Sequence, residues 1–100
     1  MVPKEELLIQ PGETVLQGLW IDLGSRMEKD MSWQRIEWLV AEHFEELACL
    51  EDSQDRLYRD PSDGRLWELF PVRPELGEQS PPHLAVIAPQ TAAERFGVSL

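Results

Sequence analysis

The side chains of this chain that could act as acids, bases or ligands are few, and they gather around one short loop. Asp60 and Asp63 stand in the run Asp60-Pro61-Ser62-Asp63-Gly64, Glu68 follows shortly after, and His43 precedes them. Paired carboxylates can do general acid–base work, and an imidazole can serve as a base or a metal ligand. The spacing argues against both uses. A calcium loop of the EF-hand type needs acidic oxygens at alternate positions, a bidentate Glu further on and helical flanks, whereas the flanks here read as strands. Carboxylates on a turn would be solvated, with no basic or nucleophilic partner to tune them. His43 falls in an apolar helical stripe that offers it no second ligand, so the preferred reading is a core histidine hydrogen-bonded to backbone. The single cysteine, Cys49, excludes an intramolecular disulfide and any multi-cysteine metal site. With no nucleophile motif, phosphate-cradling glycine loop or zinc signature, no catalytic residue, metal or cofactor is assigned. The alternative is a small enzyme or ligand-binding domain that gathers His43, Asp60, Asp63 and Glu68 in a cleft.

Turn chemistry explains the acidic loop more simply. Pro61 presets φ for a type I turn, Asp60 can accept a hydrogen bond from the turn backbone, and Gly64 supplies the positive φ that closes the loop. The sequence therefore predicts a β-hairpin, Leu57 to Asp60 paired with Arg65 to Phe70. Trp67 and Leu69 then share one sheet face with Arg65, and Leu66, Glu68 and Phe70 share the other. Before it, apolar residues at helical period predict a main helix over Trp33 to Leu50, capped by Asp30 or Ser32. Its polar side carries Arg35, Trp38, Glu42, Glu45, Glu46 and Cys49. Trp38 among glutamates is either an interface anchor or a ring covered by the N-terminal arm or a loop.

The remaining elements follow from punctuation. Residues 1–14 form an arm with at most one docked turn or short strand. Val15 to Asp22 reads as a strand apolar on both faces, and Gly18 within it marks a bulge or a close neighbour. Gly24 to Met31 and Glu51 to Arg56 are polar connections, and Pro71 to Pro82 is a long connection without secondary structure. His83 to Ala88 reads as a last strand buried on both faces, and Pro89 opens a short helix through Phe96 that Gly97 closes. The expected architecture is one α+β domain over residues 1–100: a mainly antiparallel sheet of about four strands, the long helix on one face and a short C-terminal helix.

Nineteen acidic residues against nine Lys and Arg leave a net charge of −10. Such a surface repels phosphate backbones and anionic lipid and favours a basic protein partner, although solubility alone would also account for it. The first residues lack the basic and apolar regions of a signal peptide and no apolar run reaches membrane-spanning length, so a cytoplasmic location is expected. An oligomerisation or accessory module in which Trp38 is a self-contact fits the same composition.

The run Leu57-Tyr58-Arg59-Asp60-Pro61-Ser62-Asp63-Gly64-Arg65-Leu66-Trp67-Glu68-Leu69 resembles the signature of the immunity protein 27 family of bacterial polymorphic toxin systems, L-Y-x-D-x-x-D-G-R-x-W-E-L. Weaker similarity lies in Leu16-x-Gly18-x-Trp20, Arg35-Ile36-x-x-Leu39, Pro81-Pro82-x-Leu84, Ala92 and Phe96-Gly97. Where the family pattern has a glycine-rich run before the two prolines, this chain has Gly77-Glu78-Gln79-Ser80. The resemblance implies a cytoplasmic protein that binds and neutralises a toxin encoded beside it. It transfers no contact residues, and Gly64, Arg65, Trp67 and Glu68 can all be explained by the fold. From charge and exposure, the expected contacts are Trp38, Glu42, Glu45 and Glu46 on the outer helix face, with Glu75 and Glu78 on the 71–82 loop. The expected partner is a basic toxin domain, with nucleases among the candidates.

Overall fold

The computed structural model describes residues 4–99. In chain order it runs α1 (Lys4–Leu7), β1 (Val15–Gln17), β2 (Trp20–Asp22), β3 (Met27–Lys29), α2 (Met31–Trp38), β4 (Glu45–Leu50), β5 (Asp55–Arg59), β6 (Leu66–Pro71), β7 (Pro82–Ile87) and α3 (Pro89–Phe96). The hairpin that turn chemistry predicts is β5–β6, at the centre of a five-stranded antiparallel sheet ordered β1-β7-β6-β5-β4. Its loop closes through Asp60 N–H to Arg65 C=O at 2.9 Å and Gly64 N–H to Asp60 C=O at 2.8 Å. Gly64 adopts φ 79°, a conformation that strains a side chain, which is why glycine stands there.

The sheet separates two cores. On one face Leu16, Leu84, Trp67 and Tyr58 pack with Ile36 of α2, with Leu39 and Phe44 that follow it, and with Ile9 of the arm. On the other, Leu57, Leu66 and Ile87 pack with Ala92 and Phe96 of α3. The α+β class and the antiparallel sheet are as expected. The architecture is richer in strands, with a separate two-stranded sheet β2–β3, and helices cover both faces. The predicted short helix is α3, ending at Gly97, whose N–H bonds Ala93 C=O at 2.9 Å.

Several expectations are overturned. The main helix does not run to Leu50. Asp30 caps it, accepting from Trp33 N–H at 2.8 Å, but it ends in a π turn, Leu39–His43, closed by Phe44 N–H to Leu39 C=O at 2.6 Å. Residues Glu45–Leu50 then pair with β5, so non-local pairing overrides the helix-forming tendency of Glu, Leu and Ala. A bulge between Glu46 and Ala48 lets Leu47, Ala48 and Leu50 all pack toward the α3 core. The step of three from Leu47 to Leu50, which reads as helical, is here the spacing of a bulged strand.

Val15 to Asp22 is not one strand. Gly18 breaks it, and a Cβ there would lie 2.7 Å from Pro82 Cδ and 2.9 Å from Trp33 Cβ, so the close neighbour expected of this glycine is real. Beyond Gly18 the chain leaves the main sheet as β2 and pairs with β3, inside the stretch expected to be a polar connection. The 71–82 connection, expected to lack secondary structure, contains a 3-10 segment, Pro74–Gln79, interrupted where Gly77 takes φ 59°.

Two arginines fasten the arm. Arg35 on α2 donates to Leu7 C=O (2.9 Å), Leu8 C=O (2.7 Å) and the Glu13 carboxylate (2.7 and 2.6 Å). Arg65 donates to Glu13 C=O (2.8 Å) and Gln10 C=O (3.2 Å) while also pairing with Asp63. Arg35 was expected on a solvated face, but it is the bolt between arm and helix. Its hydrogen bonds hold the Glu13 carboxyl below the ordinary carboxylate range.

Candidate partner-binding surface

The strand β4 changes what the predicted partner residues can do together. Trp38 ends α2 and Glu42 lies in the π turn, but Glu45 and Glu46 are consecutive on a strand and so point to opposite sheet faces. Glu45 faces Arg59 at 3.5 Å and Glu46 faces Arg56 at 3.9 Å, all four side chains being exposed to solvent. There is thus no single outer helix face. What exists instead is an acidic edge, since β4 is the last strand of the sheet, with Glu42, Glu45 and Glu46 at one end and exposed Glu51 and Asp52 at the other. Charges on an edge strand also keep it from pairing with a stray strand. Trp38 is half-buried: it packs against the α2-side core, stacks on His43 at 6.0 Å, and borders a shallow depression shared with Leu8, Glu42 and His43. Leu8 of the arm lies beside its ring, which is the covered environment expected of one of the two readings.

Glu75 and Glu78 lie apart from that edge, on the 3-10 segment. Glu75 pairs with Arg73 at 3.0 Å, and its own backbone N–H, then Arg73, hold its carboxyl below the ordinary range. Glu78 lines the rim of a cleft of about 580 Å³. The floor of this cleft is the part of the sheet that the short α2 leaves uncovered, including Leu69 and Arg56, and its walls include Glu37, Glu51 and Gly77. Cys49, expected on the polar side of the helix, is exposed beside it.

His43 is not bonded to backbone as expected. Its Nε2 lies 3.0 Å from Asp60 Oδ1 and 3.1 Å from Ser62 Oγ. Asp60 is 1% exposed and also accepts from Ser62 N–H at 2.8 Å. Ser, His and Asp in contact invite comparison with a hydrolase triad, but the geometry is wrong. A triad uses both ring nitrogens, one to receive the serine proton and the other to donate to the carboxylate. Here both contacts fall on Nε2, and the nitrogen that donates to Asp60 cannot take a proton from Ser62. The arrangement ties the end of the π turn to the β5–β6 loop. Asp63 and Glu68 do not join it: Asp63 pairs with Arg65 at 2.7 Å, and Glu68 pairs with Arg95 of α3 on the other face, where Arg95 also holds Asp55 at 2.8 Å. Of the four residues of the enzyme alternative, the fold brings together only His43 and Asp60 and leaves Asp63 and Glu68 paired elsewhere.

The signature run itself is thereby accounted for residue by residue. Trp67 is fully buried, Leu57 and Tyr58 are core residues on opposite faces, Asp60 and Gly64 build the turn, Arg65 holds the arm and stacks 5.2 Å over Trp67, and Glu68 anchors α3. A family model described as immunity protein 27 matches residues 22–88, a span that contains this whole run. The chain belongs to the immunity protein 27 family. It matches no curated protein and no solved structure. As a member of this family the chain is an immunity protein of toxin systems, and the match extends from the end of β2 to just beyond β7, with the arm and α3 outside it. No helix of the described residues is long and apolar enough to cross a membrane.

Sequence reasoning missed one surface. Leu19, Trp20, Ile21, Leu23, Met27 and Met31 are large apolar residues left exposed on and around β2–β3, joined by Leu76 of the 3-10 segment. The available signal was Leu19-Trp20-Ile21-Asp22-Leu23, which holds more apolar residues than one buried strand face requires.

Proposed function

We propose that this immunity protein neutralises a cognate toxin domain by binding it stoichiometrically and covering its active site, with the acidic β4 edge guiding association. The observation that carries this reading is the exposed edge strand bearing Glu45 and Glu46 and flanked by Glu42, Glu51 and Asp52, in a family whose members answer toxins. Its only cations, Arg56 and Arg59 among the described residues that meet these glutamates, sit at 3.9 and 3.5 Å, long enough to exchange for a partner's lysine or arginine. An acidic field of this kind accelerates encounter with a basic partner and weakens with salt. A catalytic mode of protection finds no support in His43, whose Nε2 is shared between Asp60 and Ser62.

The test is co-expression with the toxin domain encoded beside this chain. Cells carrying the wild-type chain survive, and the triple substitution Glu42→Lys, Glu45→Lys and Glu46→Lys lowers the association rate by ~10-fold or more and erodes protection. Full protection by a folded triple variant would remove the β4 edge from the interface.

A further inference from the structure

The β2–β3 hairpin stands outside the main sheet and spends little of its apolar surface on the core. An isolated two-stranded hairpin is marginally stable in water, so its attachments are informative. Trp20 is held edge-on against Trp33, with ring centroids 4.7 Å apart, and its indole Nε1 donates to Gln79 C=O at 3.0 Å. Leu19 and Asp30 are joined by two further bonds, from Leu19 N–H to Asp30 Oδ1 at 3.1 Å and from Asp30 N–H to Leu19 C=O at 3.0 Å. These contacts fix the hairpin against the 3-10 segment and leave between them a notch of about 440 Å³ lined by Trp20, Met27, Leu76 and Gln79. The notch is apolar and preorganised. It opens beside the larger cleft, because Leu76 and Gln79 bracket Gly77 and Glu78 of the cleft wall along the chain.

From this geometry we infer that the notch is the anchor site of the toxin interface, receiving an apolar side chain from a basic segment of the toxin domain. The inference rests on the toxin-binding reading above and assigns the slow-dissociating part of the contact, where the β4 edge supplies the fast encounter. The rim selects the occupant. Asp22 stands opposite Met27 on the same hairpin face, Glu78 lies on the adjoining wall, and among the described residues neither forms an ion pair, whereas Lys29 on that face is taken up by Glu37 at 3.0 Å. An acidic rim around an apolar centre accepts a lysine- or arginine-flanked apolar side chain. It repels a second copy of a chain whose net charge is −10. Binding energy concentrates in such desolvated apolar centres, while charged rims mainly set association rates.

The test measures association and dissociation rates for the purified, catalytically inactivated toxin domain encoded beside this chain, together with the sedimentation mass of the immunity protein. Met27→Ala with Leu76→Ala is expected to weaken Kd by about 30-fold, through faster dissociation and with little change in association rate. The apolar exchange Met27→Leu with Leu76→Met is expected to restore binding. Unchanged dissociation in the alanine variant, while the β4 lysine variant still loses association rate, would overturn the anchor and leave the proposed function standing. A wild-type dimer that the alanine variant dissociates, with toxin affinity unaltered, would assign the notch to a second copy and likewise overturn it. Failure of the wild-type chain to bind the toxin domain at all would end both readings.

Discussion

Two β-hairpins of this chain each carry a tryptophan, and they use it in opposite ways. In β5–β6, Trp67 is 0% exposed at the middle of the sheet, flanked on both sides by paired strands and capped by a loop whose polar groups are mutually satisfied. In β2–β3, Trp20 is 36% exposed, the strands have three residues each, and Met27 and Leu76 beside it are 53% and 41% exposed. The first hairpin makes the molecule and bears the family signature. The second is made possible by the molecule and bears apolar surface that folding does not need. A recognisable signature can therefore mark the scaffold, while exposed apolar surface is built from residues the signature leaves out.

Replacing Trp67 by Ala is the strongest way to break this contrast. It should cost about 3–5 kcal/mol in chemical denaturation, the range for removing a buried aromatic side chain. A loss below ~1 kcal/mol would show that the signature is retained for something other than packing.

The Arg35–Glu13 bolt comes next. Because Glu13 titrates lower in the folded protein than in the unfolded chain, its contribution is complete above the ordinary carboxylate range. That contribution is lost as pH falls through the lowered folded value. Glu13→Gln should cost about 1–3 kcal/mol near neutral pH and flatten the acid side of the stability profile, measured by unfolding at stepped pH. An unchanged acid limb would mean that the arm is held by Ile9 and backbone carbonyls alone. Smallest of all, Met27→Ala with Leu76→Ala should alter unfolding free energy by no more than about 0.5 kcal/mol, as expected for exposed positions, even as it loosens the toxin complex. A large stability loss there would make β2–β3 a structural element like its counterpart and dissolve the comparison.

What the sequence made legible follows the same division. The β5–β6 hairpin, the Asp30 cap and the Pro89-to-Gly97 helix could be read because their determinants are adjacent residues with specific backbone demands. The fate of Glu45 to Leu50 could not, because Leu47 and Leu50 satisfy a helical period and a bulged strand alike, and β5 decides between them. The acidic residues were found by type, but their grouping was misjudged once that helix became an edge strand. The apolar notch was illegible for a plainer reason: Trp20, Met27 and Leu76 are distant in sequence, and only the 3-10 segment carries the last of them to the hairpin.

The bolting of the arm also has a consequence for synthesis. Arg35 and Arg65 lie 28 and 52 positions beyond the arm residues Leu7 and Glu13 that they hold. The arm is therefore made before either of the residues that hold it, and its second fastener is also a residue of the central hairpin. Until residue 65 has been made and has turned, Ile9 has no interior to enter. Docking of the arm thus reports that the middle of the chain has folded, and amide exchange at Leu7 to Glu13 would serve as a clock for that event.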